Sequence, residues 1–279
     1  MIKNTNMFTN NDQQKIFTVK WEAENISPKG IVLIVHGYGE HIMRYEPVAR
    51  VLTQAGYIVF GLDHRGHGQS DGDRAYFSNL TDLVEDIELY DDMIQAQYPD
   101  LPLFVWGHSM GSLISLYYAL RHQDEMKGLI LSGTAVDATD SVSKIMVQIG
   151  VLLSKIIPKL RLFPALPSDE LSHDVSIVKA YDEDPLVDRG GWRIGTGIAM
   201  IQATEELKEK AAEIKLPILL LHGEVDKITP ISGAKFIYEQ VSSESKKMIT
   251  YPNMKHEVMN EVDRYQVYAD IINWLAEQE

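Results

Sequence analysis

The sequence predicts an α/β fold: a mostly parallel sheet of eight strands, with helices on both faces and a helical cap. Three observations predict it. Short apolar runs bounded by glycine or polar loops alternate with amphipathic stretches, which is the pattern of strand–helix–strand units. Runs such as Gly30 to Val35 and Tyr57 to Leu62 carry no charged side chain, as strands covered on both faces do. The alternation breaks between Thr134 and about Met200, where no strand pattern occurs. The expected organisation is therefore a first core part at 1–133, a helical cap at 134–200 and a second core part at 201–279.

In order along the chain, Lys15 to Ala23 alternates Ile16, Thr18 and Lys20 against Phe17, Val19 and Trp21, a half-buried strand. With Asn10-Asn11-Asp12 as a turn, it pairs with the residues before it as a hairpin. A buried strand follows at 30–35. The next helix sets Tyr45, Val48, Val51 and Leu52 on one side and stops at Gly56. After the strand at 57–62, a glycine-rich charged loop runs from Asp63 to Ser70, in which His64 and His67 are expected to brace through Asp63 and Arg65. Thr81 is placed to cap a long helix with Leu83, Ile87, Tyr90 and Ile94 inward and Glu85, Asp86, Glu88, Asp91 and Asp92 mostly outward. Further strands are expected at Leu103 to Trp106, Gly128 to Leu131, Pro217 to Leu221 and Met248 to Tyr251. Helices are expected after Met110, after Pro230 and from about Gln266 to Glu277.

Composition narrows the function. The chain has 279 residues and a formal net charge of −14. So acidic a surface argues against nucleic acid and against general adhesion to anionic membranes. There is no cysteine, which excludes disulfides, a thiol nucleophile and cysteine-ligated zinc. Met1 to Gln14 lacks the basic-then-apolar pattern of a signal peptide, and no apolar run approaches the length of a membrane span. A cytoplasmic location is the expectation.

The chain turns on Leu103 to Gly111, Leu-Phe-Val-Trp-Gly-His-Ser-Met-Gly. A strand that ends at a serine and reverses straight into a helix makes a tight elbow. Its hydroxyl stands proud of the sheet, with a helix N-terminus behind it. A serine needs a base, and the base needs an orienting acid. Of nine histidines, His256 is best placed, in a short loop between the last strand and the last helix. His36 and His222 end buried strands and read as structural, and His108 points elsewhere from the elbow. Asp226 follows the seventh strand and is the candidate acid, with Asp137 as its rival. Glu224 lies too close to the strand end to turn freely. The order Ser109, Asp226, His256 is that of elbow-type hydrolases. Two backbone N–H groups should face the oxyanion of the transition state: Met110, after the nucleophile, and Tyr38, in His36-Gly37-Tyr38-Gly39.

These segments together resemble the monoacylglycerol lipase and lysophospholipase group of the α/β-hydrolase superfamily. The resemblance rests on 36–41, 63–68, 107–111, 221–226 and 251–257, with Tyr181 to Leu186 resembling that group's cap. It implies the α/β-hydrolase fold, serine esterase activity and a single-chain lipid ester substrate with a small polar alcohol, such as a monoacylglycerol. It also suggests that Glu40, Arg44 and Tyr181 lie near the alcohol side, and it implies no metal or organic cofactor. The group usually has a small residue where Tyr38 stands, so a narrower acyl pocket near the nucleophile is expected. Other single-chain esters, lysophospholipids, peptides and a non-catalytic lipid-binding module of the same fold are the competing readings.

The insertion carries its own signal. From Ser141 to Pro167 there is no acidic residue. On helical spacing Lys144, Gln148 and Lys155 fall on one side, and Ile145, Ile149, Leu152, Leu153, Ile156 and Ile157 on the other, with Pro158 ending the helix. Such a segment suits peripheral contact with a membrane or micelle, packing on the domain below, or both.

Overall fold

The computed structural model describes residues 1–136, 144–162 and 164–279. Eight strands form one sheet: β1 (Ile2–Thr9), β2 (Lys15–Glu22), β3 (Gly30–Val35), β4 (Tyr57–Leu62), β5 (Leu103–His108), β6 (Gly128–Ser132), β7 (Ile218–Gly223) and β8 (Lys246–Tyr251). Their order is β1-β2-β4-β3-β5-β6-β7-β8. The β1–β2 and β2–β4 pairs are antiparallel and all others are parallel. The hairpin expected around Asn10 is present, held by the Asn10 side chain, which accepts from the backbone N–H of Asp12 and Gln14.

The pleat divides each central strand between two cores. Ile31, Leu33 and Val35 of β3 and Leu103 and Val105 of β5 face one core. Val32, Ile34, Phe104 and Trp106 face the other. The first core is closed by α2 (Leu80–Gln97), α3 (Met110–His122) and α7 (Ile231–Gln240). The second is closed by α1 (Glu46–Gln54) and α8 (Arg264–Glu277). Apolar faces on both sides explain why the parallel strands read as unbroken hydrophobic runs.

Two details of α2 differ from the sequence expectation. Its cap is Asn79, whose side chain accepts from the Thr81 N–H, so the helix begins one residue before Thr81. Asp86 and Asp91 point inward. Asp86 takes two hydrogen bonds from the Arg65 guanidinium, both 2.7 Å, and one from Asn10. Asp91 accepts from the Tyr118 hydroxyl at 2.5 Å. Helical periodicity counted both as surface charges. Each has a partner from a distant segment, and that partner is what makes burial tolerable.

Between β6 and β7 lie α4 (Lys144–Ser154), α5 (Val175–Glu183) and α6 (Ile194–Lys210). α4 ends four residues before Pro158, and α6 runs unbroken through residue 200. No strand interrupts this insertion among the described residues; its one β-bridge joins Arg161 and Arg193.

Candidate active site

The elbow is where β5 meets α3. Ser109 has φ 52° and ψ −122°, a conformation costly for a residue with a Cβ. Its backbone is fixed from two sides: Ser109 N–H donates to Ser132 O at 2.9 Å, and the Ser112 hydroxyl donates to Ser109 O at 2.6 Å. Met110 opens α3, and no backbone carbonyl among the described residues accepts from its N–H or from that of Tyr38.

Asp226 and His256 meet beyond the neighbouring strands. His256 Nδ1–H donates to Asp226 Oδ2 at 2.8 Å. Because a carboxylate only accepts, the proton sits on Nδ1 and Nε2 is left with a lone pair that can take a proton. Asp226 is also held by the N–H groups of Ile228 and Thr229 and by the Thr229 hydroxyl, at 2.8, 3.0 and 2.8 Å. That hydroxyl lies 3.1 Å from His256 Nδ1 as well. Burial opposes the charged form of His256, but the charge and hydrogen bond of Asp226, with help from Glu257 and Glu40, raise its pKa above the usual imidazole value. Burial would likewise raise Asp226, yet His256 and the Thr229 N–H outweigh it and hold the carboxyl well below the usual range.

His256 rests on the turn that anchors Ser109. A Cβ on Gly133, the residue after Ser132, would come 2.9 Å from His256 Cε1. The rings of His256 and His108 are 4.8 Å apart. Ser109 and His256 share no hydrogen bond in the structure. In unliganded sites the nucleophile–base bond commonly tightens only in the substrate complex.

A cavity of about 410 Å³ opens at Ser109 and Met110. Its walls are Ile194, Ile198 and Ile201 of α6, Leu153 of α4, and Trp192. No charged side chain lines it among the described residues, and Thr229 joins Ser109 as its hydroxyl-bearing edge.

Glu40, Arg44 and Tyr181 come together beside this site rather than in the cavity wall. Glu40 accepts from the Gly37 N–H at 2.7 Å and the Tyr45 hydroxyl at 2.8 Å, and pairs with Arg44. Arg44 also clasps Glu257 with two 2.7 Å bonds and lies 4.8 Å over the Tyr181 ring. The clasp joins the Tyr38 loop to the residue after His256. Although burial favours the neutral acid, Arg44 holds Glu257 well below its usual range.

Several other histidines are engaged in local contacts. His36 uses both ring nitrogens, on Gly37 O and the His64 N–H. His222 reaches Thr229 O, and His108 reaches the Ser132 hydroxyl. His64 and His67 brace their loop through backbone carbonyls and ring packing on His36 rather than through Asp63. Asp63 instead accepts from the N–H groups of Ile42 and Gln69. Asp137 lies outside the described residues.

Comparison with known proteins places the chain in a family. The profile of the serine aminopeptidase S33 family matches residues 26–263. The chain belongs to that family of α/β-hydrolases. A monoacylglycerol lipase of Mycolicibacterium smegmatis is 37 % identical over 89 % of this chain and 89 % of its own. The human monoglyceride lipase is 32 % identical over 96 % of this chain and 89 % of its own. The crystal structure of Paleococcus ferrophilus monoacylglycerol lipase superposes with a TM-score of 0.83 at 29 % identity, covering 95 % of this chain and 99 % of that one.

Reading the sequence missed three residues of this hydrolase site: Thr229, Gly133 and Trp192. A threonine three positions after the acid carries a turn signal that could have been found. Gly133 and Trp192 gain their positions only from packing between segments far apart in sequence.

Proposed function

We propose that the protein is a serine esterase that cleaves monoacylglycerols to fatty acid and glycerol. The observation that carries this reading is an apolar cavity with no charged lining residue among the described residues, opening at Ser109 beside the Asp226–His256 pair. A peptide N-terminus brings an ammonium group, which the described lining residues offer no carboxylate to meet. An acyl chain brings only hydrocarbon.

In the proposed reaction His256 Nε2 takes the Ser109 proton as Oγ attacks the ester carbonyl. The Tyr38 and Met110 N–H groups hold the oxyanion, an effect of about 3–4 kcal/mol per donor in comparable sites. Asp226 keeps the imidazole in the Nδ1–H tautomer and stabilises its charged form. Collapse expels glycerol, which takes the proton from His256. Water activated by the same imidazole then releases the acid. Glu40, Arg44 and Tyr181 are proposed as the frame of the alcohol side, acting through their hold on the loops of Tyr38 and His256. Residues 134–200 are proposed as a cap over the core parts 1–133 and 201–279.

The same reading extends to a peripheral role at a lipid surface. Ile145, Leu152 and Ile156 are 70 %, 62 % and 70 % exposed, while the cavity-lining Leu153 is half-buried. No helix among the described residues is long and apolar enough to cross a membrane. A cytoplasmic enzyme that touches membranes or micelles through α4 fits both facts.

A panel of monoacylglycerol, diacylglycerol, lysophosphatidylcholine, p-nitrophenyl esters and an aminoacyl amide tests the substrate class. Highest kcat/KM on monoacylglycerol is expected. Activity on the amide alone would sink the ester reading.

A further inference from the structure

We infer that Trp192 is a positioning residue for the oxyanion donor, coupling the wall of the acyl cavity to the backbone N–H of Tyr38. The inference rests on the esterase reading and adds a component to it. The Tyr38 loop has glycine on both sides of its one substituted position, 37–39, so its backbone is soft unless the tyrosine side chain is held. It is held on three sides. The Trp192 indole lies flat on the Tyr38 ring, with centroids 3.8 Å apart and planes 8° from parallel. His67 meets the ring edge-on at 5.8 Å, and the hydroxyl donates to Ala75 O at 3.3 Å. Of these three supports, only Trp192 also lines the acyl cavity, together with Ser109 and Met110.

The segment that carries Trp192 is itself fastened to the loop. Asp188 N–H donates to Gly39 O at 2.8 Å. Gly39 has φ 76°, and a Cβ there would come 2.9 Å from Asp188 O, so the two backbones lie against each other. The Arg161 guanidinium ties the segment further, donating to Asp188 Oδ2 at 2.6 Å and to Gly191 O at 2.8 Å. Leu162 N–H donates to Trp192 O at 3.1 Å. The insertion therefore grips the loop that presents the donor, with the indole between acyl chain and loop. Tyr38 lies behind Trp192 rather than in the cavity, so the expected narrowing of the acyl pocket by Tyr38 itself is replaced by a wall made of Trp192.

The test uses p-nitrophenyl acetate, whose two-carbon acyl group is too short to need the cavity wall, beside a long-chain monoacylglycerol. Trp192→Ala should lower kcat on the acetate at least tenfold with KM within threefold. Trp192→Phe should restore kcat to within threefold, because a ring again faces Tyr38. Tyr38→Leu keeps the N–H and removes the stack. It should show the same loss, and adding Trp192→Ala to it should cost less than threefold more. Unchanged acetate turnover in Trp192→Ala, with only the long-chain KM raised, would leave Trp192 a simple wall and overturn the inference. Fully additive losses in the double variant would overturn it too. A wild-type protein that cleaves neither ester removes the esterase reading and the inference together, whereas an active wild type with an additive cycle removes the inference alone. Melting temperatures of all variants separate these outcomes from unfolding.

Discussion

At the scale of single residues, the site depends on close approach as much as on reactive groups. Gly133 has φ 54° and sits where a Cβ would press on both His256 and His108. Gly133→Ala should displace the imidazole by a fraction of an ångström to an ångström and lower kcat roughly 100-fold. A kcat within threefold of wild type would show that the ring does not rest there. The raised pKa of His256 makes a second expectation. As the proposed base, His256 works only when neutral, so esterase activity should fall as the pH drops through a value above the ordinary imidazole pKa of about 6.5. A kcat/KM profile still flat at pH 6 would contradict it. The proposed nucleophile could be read from the sequence because it ends an apolar strand inside a Gly-x-Ser-x-Gly elbow, and the proposed acid and base because they lie in the short loops after β7 and β8. Gly133 and Trp192 were not legible, since a missing Cβ and an indole gain their positions from packing between segments far apart in sequence, while Thr229 could have been found from the turn signal after Asp226.

At the scale of elements, α4 presents two faces, one to the cavity and one outward. Leu153 faces the acyl cavity, while Ile145 and Leu152 face outward and Ile156, just beyond the helix, continues that exposed strip. Ile149 belongs to both, half-exposed and part of the lining. Replacing Ile145, Leu152 and Ile156 together by Asp should abolish flotation with liposomes while turnover of p-nitrophenyl acetate stays within twofold of wild type. Unchanged flotation would remove the interfacial role. The amphipathic spacing of this segment was visible in the sequence. Which apolar residues line the cavity and which are left outside was not, because that depends on how α6 packs beneath, where Ile198 lies 2.7 Å from the position a Cβ on Gly150 would take. The same limit explains α2. Helical spacing located its buried stripe, but Asp86 and Asp91 fall inside because Arg65 and Tyr118 arrive from elsewhere.

At the scale of the whole molecule, the mostly parallel eight-stranded sheet with helices on both faces was legible in the alternation of apolar runs and amphipathic stretches, whereas the strand order was not, because pairing is set between segments far apart in sequence. The acid sensitivity expected of the fold was not legible either, because it rests on histidines that the ends of β3 and β4 bring together. His36 and His64 have ring centroids 4.2 Å apart, and His67 lies 5.4 Å from His36. Burial first, and neighbouring imidazoles second, lower His64 to about 3; burial lowers His67 to about 4. These rings stay neutral in the fold at a pH where the unfolded chain would bind protons. Their contribution is full above about pH 6.5 and declines as the pH falls toward their folded values. At pH 5 each costs about 2 kcal/mol of stability. His256, raised in the fold, works in the opposite sense, and its share is lost as the pH rises through its folded value. The melting temperature should therefore fall by several degrees between pH 7 and pH 5. A flat profile would mean that the cluster is already protonated or open to water.

The central claim is that Ser109 carries the acyl group, and the most direct measurement is to trap it there. Rapid acid quench during turnover of a long-chain monoacylglycerol, followed by peptide mass spectrometry, should find the acyl mass on the peptide that contains Ser109. Ser109→Ala should show no adduct and a kcat lower by roughly 10⁴ to 10⁶-fold. Steady turnover with no adduct on that peptide, and an alanine variant within tenfold of wild type, would contradict the account.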